Sequence, residues 1–351
     1  MTGAAFVDEM AASFQRAAEV CEPEETEIRL GSSRARLRCA GPALNRAFGL
    51  AFEHLAAAAP VSGSTNDALT VRLWDSASTG VQPPAPPWSE REFQARGEVG
   101  HDFGDDVRLS FRIDSGVLSV FEPSTNTAHC WVRDPDDLPP WEIAAPLRPI
   151  LAWWAENTGR QLVHAASVGL DDGAVLLGAR GGSGKSTTAL ACLEAGMLYL
   201  GDDYVLLEPG EPCRVSSLYS TAKLIPANLD DRLPRLREYV TGRHDAQQDK
   251  VTLSLFGAFP DQLVPSLPLR AILVPSVPES GLLALHPTSA SVVLAALAPT
   301  TLFQLPNLGA KALARLGDFV TATPRYTLEL DRELDRNVAV IRSLVAEGAR
   351  A

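Results

Sequence analysis

Positive charge is in short supply. Lysine and arginine together number 31 against 43 aspartates and glutamates, a net charge of −12 over 351 residues. A chain this acidic has no broad basic face, which excludes sequence-independent binding to DNA, RNA or an anionic membrane surface. It does not exclude a single anion pocket built from backbone N–H groups. Cysteine is scarce as well: Cys21, Cys39, Cys130, Cys192 and Cys213 stand far apart, with no Cys-x-x-Cys pair and no Cys/His cluster. Neither a zinc module nor a disulfide framework is therefore expected, and the thiols read as those of a reducing compartment. Long apolar runs are missing too, none reaching the roughly 18 residues that point to a membrane helix. The opening segment MTGAAFVDEMAASFQRAAEV carries acids and lacks a basic stretch before an apolar core, so no secretory leader is expected. A cytoplasmic protein is the expectation.

What is present belongs to a folded chain. Hydrophobic residues make up 46% and charged residues 21%, which excludes wholesale disorder. At about 150 residues per domain the length suggests two domains. Residues 5–20 show helical periodicity. Alternating stretches at 26–41 and 68–76 flank a helix-like AFGLAFEHLAAAA, and three short alternating segments between 106 and 134 read as a meander. The proline-rich segment 76–88 reads as an extended surface connection. Residues 142–158 read as one helix with Pro146 near its first turn. After Gly159 the character changes to strand, glycine-rich loop, helix, strand, with further strand and helix patterns to the end. The division expected is an α+β N-terminal domain, 1–145, for acceptor recognition or assembly, and an α/β domain, 146–351.

The sharpest signal lies at Ala179-Arg180-Gly181-Gly182-Ser183-Gly184-Lys185-Ser186. It is a Walker A pattern in which Ala179 replaces the usual first glycine. Glycines let successive N–H groups converge on phosphate oxygens, and a helix starting at Lys185 turns its positive end towards them. Gly181, Gly182, Ser183, Gly184, Lys185, Ser186 and Thr187 are the expected phosphate ligands, with Lys185 on the β/γ-phosphates and the Ser186 hydroxyl on Mg²⁺. A strand before the loop and a helix after it supply the context the motif demands. Other P-loop classes lack their marks: no LSGGQ-like segment, no late apolar strand ending in Asp-Glu, no NKxD. The acids come early, as Asp202 and Asp203 in MLYLGDDYVLLEP, read as a strand carrying both. His164 lies in QLVHAASV, a strand that can pair with the one feeding the loop.

The ordered set LVHAASVG, GARGGSGKSTTAL and YLGDDYVLL, followed by VSSLYSTAKL, resembles the HPr kinase/phosphorylase family over about 160–330. Within it, the set is similar to HPr-kinase-related peptide-tailoring kinases, and the P-loop with its GDD pair resembles ATP-dependent phosphoenolpyruvate carboxykinase. The resemblance implies a P-loop kinase core with a mixed sheet, using ATP and Mg²⁺ to phosphorylate a hydroxyl, foremost Ser or Thr of a peptide or small protein. It implies that Ser186 and one of Asp202 and Asp203 hold the metal while the other takes the hydroxyl proton, Asp203 being favoured for the metal side and Asp202 as the base, and that His164 orients an acid or contacts the incoming phosphate. The two acids can also titrate as one pair. Tyr219 and Lys223 fall in the shared stretch as acceptor or nucleotide contacts, although Tyr219 reads equally as a core aromatic. Lys250 and Arg243 are weaker candidates on the polar segment TGRHDAQQDK, which can form a lid. Thr187 stands where that family carries Glu, and the C-terminal segment associated with phosphorolysis is missing. A kinase without the reverse reaction is therefore expected, on an acceptor other than HPr. A small-molecule kinase and a catalytically silent nucleotide-binding module stay open. Oligomers in the family make a homo-oligomer an expectation here.

Overall fold

The computed structural model describes residues 2–56, 67–89, 92, 98–99, 103–104, 106–245, 249–278, 281–302 and 310–348. In the N-terminal half the elements run α1 (Gly3–Val20), β1 (Glu24–Leu30), β2 (Ser33–Ala40), α2 (Pro42–Ala56), β3 (Leu69–Asp75), α3 (Ser76–Thr79), β4 (Glu98–Val99), β5 (Arg108–Arg112), β6 (Val117–Glu122) and β7 (Thr127–Val132). They build a mixed sheet in the order β1-β2-β3-β7-β6-β5-β4, with β3 parallel to both neighbours and every other pair antiparallel. Period-two alternation decides which face each residue serves. On β6, Val117 and Phe121 pack under α2 and the helix that follows the sheet, while Leu118 and Val120 turn to the opposite face. There Phe6, Met10 and Phe14 of α1 cover them.

Residues 140–157 correct the single helix expected at 142–158. They form α4 (Pro140–Ala144) and α5 (Arg148–Asn157), with Leu147 between them at φ 61°. Pro146 explains the break: it has no N–H for a helical bond, and its ring disfavours the helical region for the residue before it.

The C-terminal half continues with β8 (Gln161–Val163), β9 (Ala166–Leu170), β10 (Gly173–Leu177), α6 (Lys185–Glu194), β11 (Leu198–Gly201), β12 (Val205–Glu208), β13 (Arg214–Ser217), β14 (Thr221–Leu224) and α7 (Pro226–Arg232). It ends with β15 (Val240–Asp245), β16 (Lys250–Ser254), β17 (Ser266–Ser276), β18 (Ala284–Pro287), α8 (Ala290–Leu302), α9 (Ala310–Ala322), β19 (Arg325–Glu329) and α10 (Leu334–Gly348). Among the described residues these strands form a nine-stranded mixed sheet centred on β17 and a small antiparallel sheet, β14-β16-β15. β17 runs parallel to β10 and β19 and antiparallel to β13, so it ties the sheet together. α6 and α10 cover one face, α8 and α9 the other.

Two expected strands are each interrupted. QLVHAASV breaks at His164 into β8 and β9, and MLYLGDDYVLLEP breaks at Asp202-Asp203 into β11 and β12. β9 and β11 pair with each other at one edge, while β8 and β12 pair at the other. His164 and the two acids are thus the crossing points where both chain segments change partners.

The halves share an interior. One apolar cluster runs from Leu44 and Phe52 through Trp153 and Trp154 to Tyr204, Leu206 and Tyr219. At its edge Glu208 accepts from Ser32 N (2.9 Å) and Oγ (2.6 Å), Arg160 Nε (3.2 Å) and Ser216 Oγ (2.5 Å). His54 of α2 meets Ser217 Oγ at 2.6 Å across the same seam.

Candidate active site

The loop follows directly from β10, whose five residues are all buried. Gly178 N donates to Leu273 O (2.9 Å), which pins the loop to the carboxyl end of the parallel β10–β17 pair. A Cβ on Gly178 would stand 2.4 Å from Leu297 Cδ2, so the close approach of α8 requires glycine there. Gly182 and Gly184 have φ of +82° and +88°, the left-handed region that lets the backbone fold its N–H groups towards one point. α6 then begins at Lys185 and adds its N-terminal dipole.

Residues 181–187, with Lys223, Asn228, Arg232 and Lys250, line a cleft of about 220 Å³. Four lysines and arginines around one cleft make a locally cationic site in a chain of net charge −12. The Ser183 hydroxyl is buried and has no hydrogen-bond partner among the described residues. Lys185 is only 7% exposed; burial lowers the pKa of its ammonium, while Asp202 and Asp203 act to raise it. Both observations fit a loop made for a polyphosphate.

The adjacent acids occupy different environments. Asp202, 3% exposed, accepts from Lys223 N (3.2 Å) through Oδ2. Its Oδ1 is buried with no hydrogen-bond partner among the described residues, and the Ser186 hydroxyl lies close by. Burial is the strongest influence and raises its pKa, against the opposing pull of Ser186 and Lys185. Asp203 keeps about a fifth of its side chain in solvent (21%). Its Oδ1 meets His164 Nε2 at 3.0 Å and its Oδ2 accepts from Lys223 Nζ at 2.8 Å. Burial opposes its ionisation, but the Lys223 ammonium and His164 outweigh it and hold the carboxyl well below the usual range.

His164 is fixed from both sides. Its backbone N donates to Thr301 Oγ1 (3.1 Å), and its ring lies 5.2 Å from that of Tyr204. The Tyr204 ring lies in turn 6.0 Å from the guanidinium of Arg148, which donates to Glu142 Oε2 (3.0 Å). Arg148 is a cation carried from α5 beneath the site. The sequence offered one unused sign of it, a lone basic residue in the apolar run AAPLRPILAWW.

The structure therefore brings together the loop residues Gly181 to Thr187, the acids Asp202 and Asp203, His164 and Lys223. Tyr219 lies elsewhere, and its expected contact with acceptor or nucleotide is corrected: its ring packs on Phe52 (5.6 Å) and its hydroxyl donates to Pro146 O (2.8 Å). Buried among apolar neighbours with its one polar atom satisfied, it is a packing residue. Lys250 lines the cleft, whereas the Arg243 side chain and residues 246–248 of TGRHDAQQDK lie outside the described residues. Asn228 and Arg232 were not singled out from the sequence. They reach the cleft because α7 lies over it, and Asn228 Nδ2 donates to Thr187 Oγ1 at 3.4 Å.

Among the described residues, no group of three or more His, Cys, Asp or Glu side chains is placed to hold a metal ion, and no helix is long and apolar enough to cross a membrane. Ser186 and the free Asp202 oxygen still suit Mg²⁺, which is commonly held by one or two carboxylates together with phosphate oxygens. No protein-family profile matches the chain, and neither does any curated protein. Among solved structures the chain is similar to the HPr(Ser) kinase/phosphatase from Coxiella burnetii, at 14% identity and a TM-score of 0.30, over 53% of this chain and 95% of that one. A likeness this distant carries no weight here, and the site stands on its own geometry.

Proposed function

We propose that this protein is an ATP- and Mg²⁺-dependent kinase that transfers the γ-phosphoryl group to a hydroxyl, foremost that of Ser or Thr in a peptide or small protein. The observation that carries the reading is the convergence of Lys185, Ser186, Asp202, Asp203, His164 and Lys223 at one end of the phosphate loop. Residues 181–187 would hold the triphosphate, with Lys185 on the transferring phosphoryl. Ser186 and Asp202 would hold Mg²⁺, which supplies charge neutralisation on the phosphate oxygens.

The geometry favours the reverse of the acid assignment expected from the sequence. Asp202, not Asp203, adjoins Ser186, so it suits the metal side. Asp203 is the more open acid and suits the acceptor hydroxyl, whose proton it takes late in a loose transition state. A carboxyl held at low pKa is a weak base, and late transfer asks for little more. His164 and Lys223 fix one oxygen each and so orient Asp203.

The test is incubation of the purified chain with γ-labelled ATP, Mg²⁺ and a library of Ser/Thr peptides, read by mass spectrometry. Phosphopeptides are expected, with Asp203→Asn lowering the rate about 10²–10⁴-fold while ATP still binds, and Lys185→Ala abolishing ATP binding. Tight ATP binding without transfer to any acceptor, small alcohols included, would instead mark a nucleotide-binding regulatory module.

A further inference from the structure

The polar face of the small sheet carries a second cavity. Lys223 pairs with Thr252 across β14–β16, Thr252 pairs with Thr241 across β16–β15, and Thr221 precedes Lys223 by two residues on its strand. Alternation puts all four side chains on one face, whereas Ala222, Leu224 and Leu253 pack into the core on the other. Above that face lies a cavity of about 330 Å³, its floor made by Thr221, Thr241 and Thr252. Its roof comes from the N-terminal half: Ala47 and Leu50 of α2, and Leu138 and Ile143 around α4. Thr221 Oγ1 is engaged by Ala144 O, whereas Thr241 and Thr252 make no side-chain hydrogen bond among the described residues. Among the described residues the charged group lining this cavity is the exposed Asp136.

Its position gives it meaning. Lys223 lines the phosphate cleft, while its strand neighbour Thr221 and cross-strand partner Thr252 line this cavity. Side chains two apart on a strand are separated by roughly 7 Å. Lys223, whose ammonium holds Asp203 at 2.8 Å, thus lies at the phosphate cleft while its strand neighbours line the second cavity. The volume falls at the lower end of small-molecule sites. Apolar walls, two uncommitted hydroxyls and one carboxylate suit a partly apolar body that is neutral or cationic, and disfavour an anionic one.

We infer that this cavity seats the acceptor: a hydroxyl attached to a compact apolar body, uncharged or positively charged, held between α2 and the β14-β16-β15 sheet with the hydroxyl directed at Asp203. The inference rests on the kinase reading and gives the anonymous N-terminal half a task, as the roof of the acceptor site. A free alcohol and a seryl peptide with an apolar neighbour present the same chemistry.

Calorimetry on the full chain with Mg²⁺ and a non-hydrolysable ATP analogue tests it, using L-phenylalaninol, the capped dipeptide N-acetyl-seryl-phenylalaninamide, and phenyllactate. The first or second is expected to bind at least tenfold more tightly than phenyllactate, and whichever binds better identifies the acceptor as free alcohol or peptide. Ala47→Trp fills the cavity and is expected to abolish binding with analogue affinity unchanged. Asp136→Asn is expected to erase the discrimination against phenyllactate. If Ala47→Trp does not fold, the isosteric pair Thr241→Val and Thr252→Val serves instead, with an expected loss of about tenfold. Binding of the analogue but of neither alcohol nor dipeptide, or binding indifferent to these variants, overturns the inference. Binding of the probes in a chain that takes up no nucleotide would keep the cavity and overturn the kinase reading.

Discussion

Glu208 at the end of β12 and Asp202 just before that strand are both buried carboxylates, and the protein treats them in opposite ways. At the seam between the halves Glu208 receives bonds from Ser32, Arg160 and Ser216. Burial raises its pKa, yet those partners outweigh the effect and keep it low. At the cleft beside the glycine-rich loop one Asp202 oxygen has no hydrogen-bond partner among the described residues, and burial outweighs Ser186 and Lys185. A buried polar group with all its partners is glue, and one left short of partners costs stability. Glu208 is fully partnered within the seam, whereas Asp202 keeps an oxygen for the metal that the proposed reaction would bring.

The contrast can be broken most sharply at Glu208. Glu208→Gln removes the buried countercharge of Arg160 and leaves the guanidinium only the exposed Asp67 carboxylate at 3.3 Å, so a loss of about 3 kcal/mol is expected in urea unfolding. A loss below about 1 kcal/mol would show that the seam is not held by this network.

His54 tests the same seam through pH. Burial pushes its pKa down to about 3 from 6.5, so the folded protein holds it neutral while the unfolded chain takes up a proton. Its contribution is therefore complete above pH 6.5 and declines as pH falls towards 3, by about 1.4 kcal/mol per unit. Between pH 6.5 and 5 a His54→Gln variant is expected to lose about 2 kcal/mol less than the parent. Parallel stability curves for the two proteins would remove His54 from the account.

The smallest effect is expected at the cleft and has the opposite sign. Asp202→Asn removes a charge that burial disfavours, so stability is expected to rise by about 1 kcal/mol while the proposed phosphoryl transfer is lost. A destabilised variant would mean that Asp202 is structural glue like Glu208, and the distinction between seam and cleft would fail.

The glycine-rich loop was legible as a structure because its geometry is local: left-handed glycines followed by a helix starting at Lys185 need only the chain's own neighbours. The acids were legible as a pair but not as individuals, because Ser186, Lys223 and His164 reach them from three separate segments. Tyr219 stayed open between ligand and core aromatic because a motif stretch can hold a packing residue as readily as a ligand, and burial decided for the core. The single helix expected at 142–158 gave way at Pro146, whose effect on its neighbours outweighed the apolar periodicity around it.

By itself the sequence determined the composition class, the alternation that builds both sheets, the glycine-rich loop ahead of α6 and the presence of the Asp202-Asp203 pair. Each of these depends on covalent neighbours or on a repeat of two or 3.6 residues. Tertiary structure alone decided that His164 and Asp203 meet, that Arg148 lies under Tyr204, that α2 roofs a cavity over Thr241 and Thr252, and that one buried acid is satisfied while another is not. Those facts depend on which strands pair across long stretches of chain, and on the desolvation each pairing imposes. Neither is written in the order of the residues taken one segment at a time.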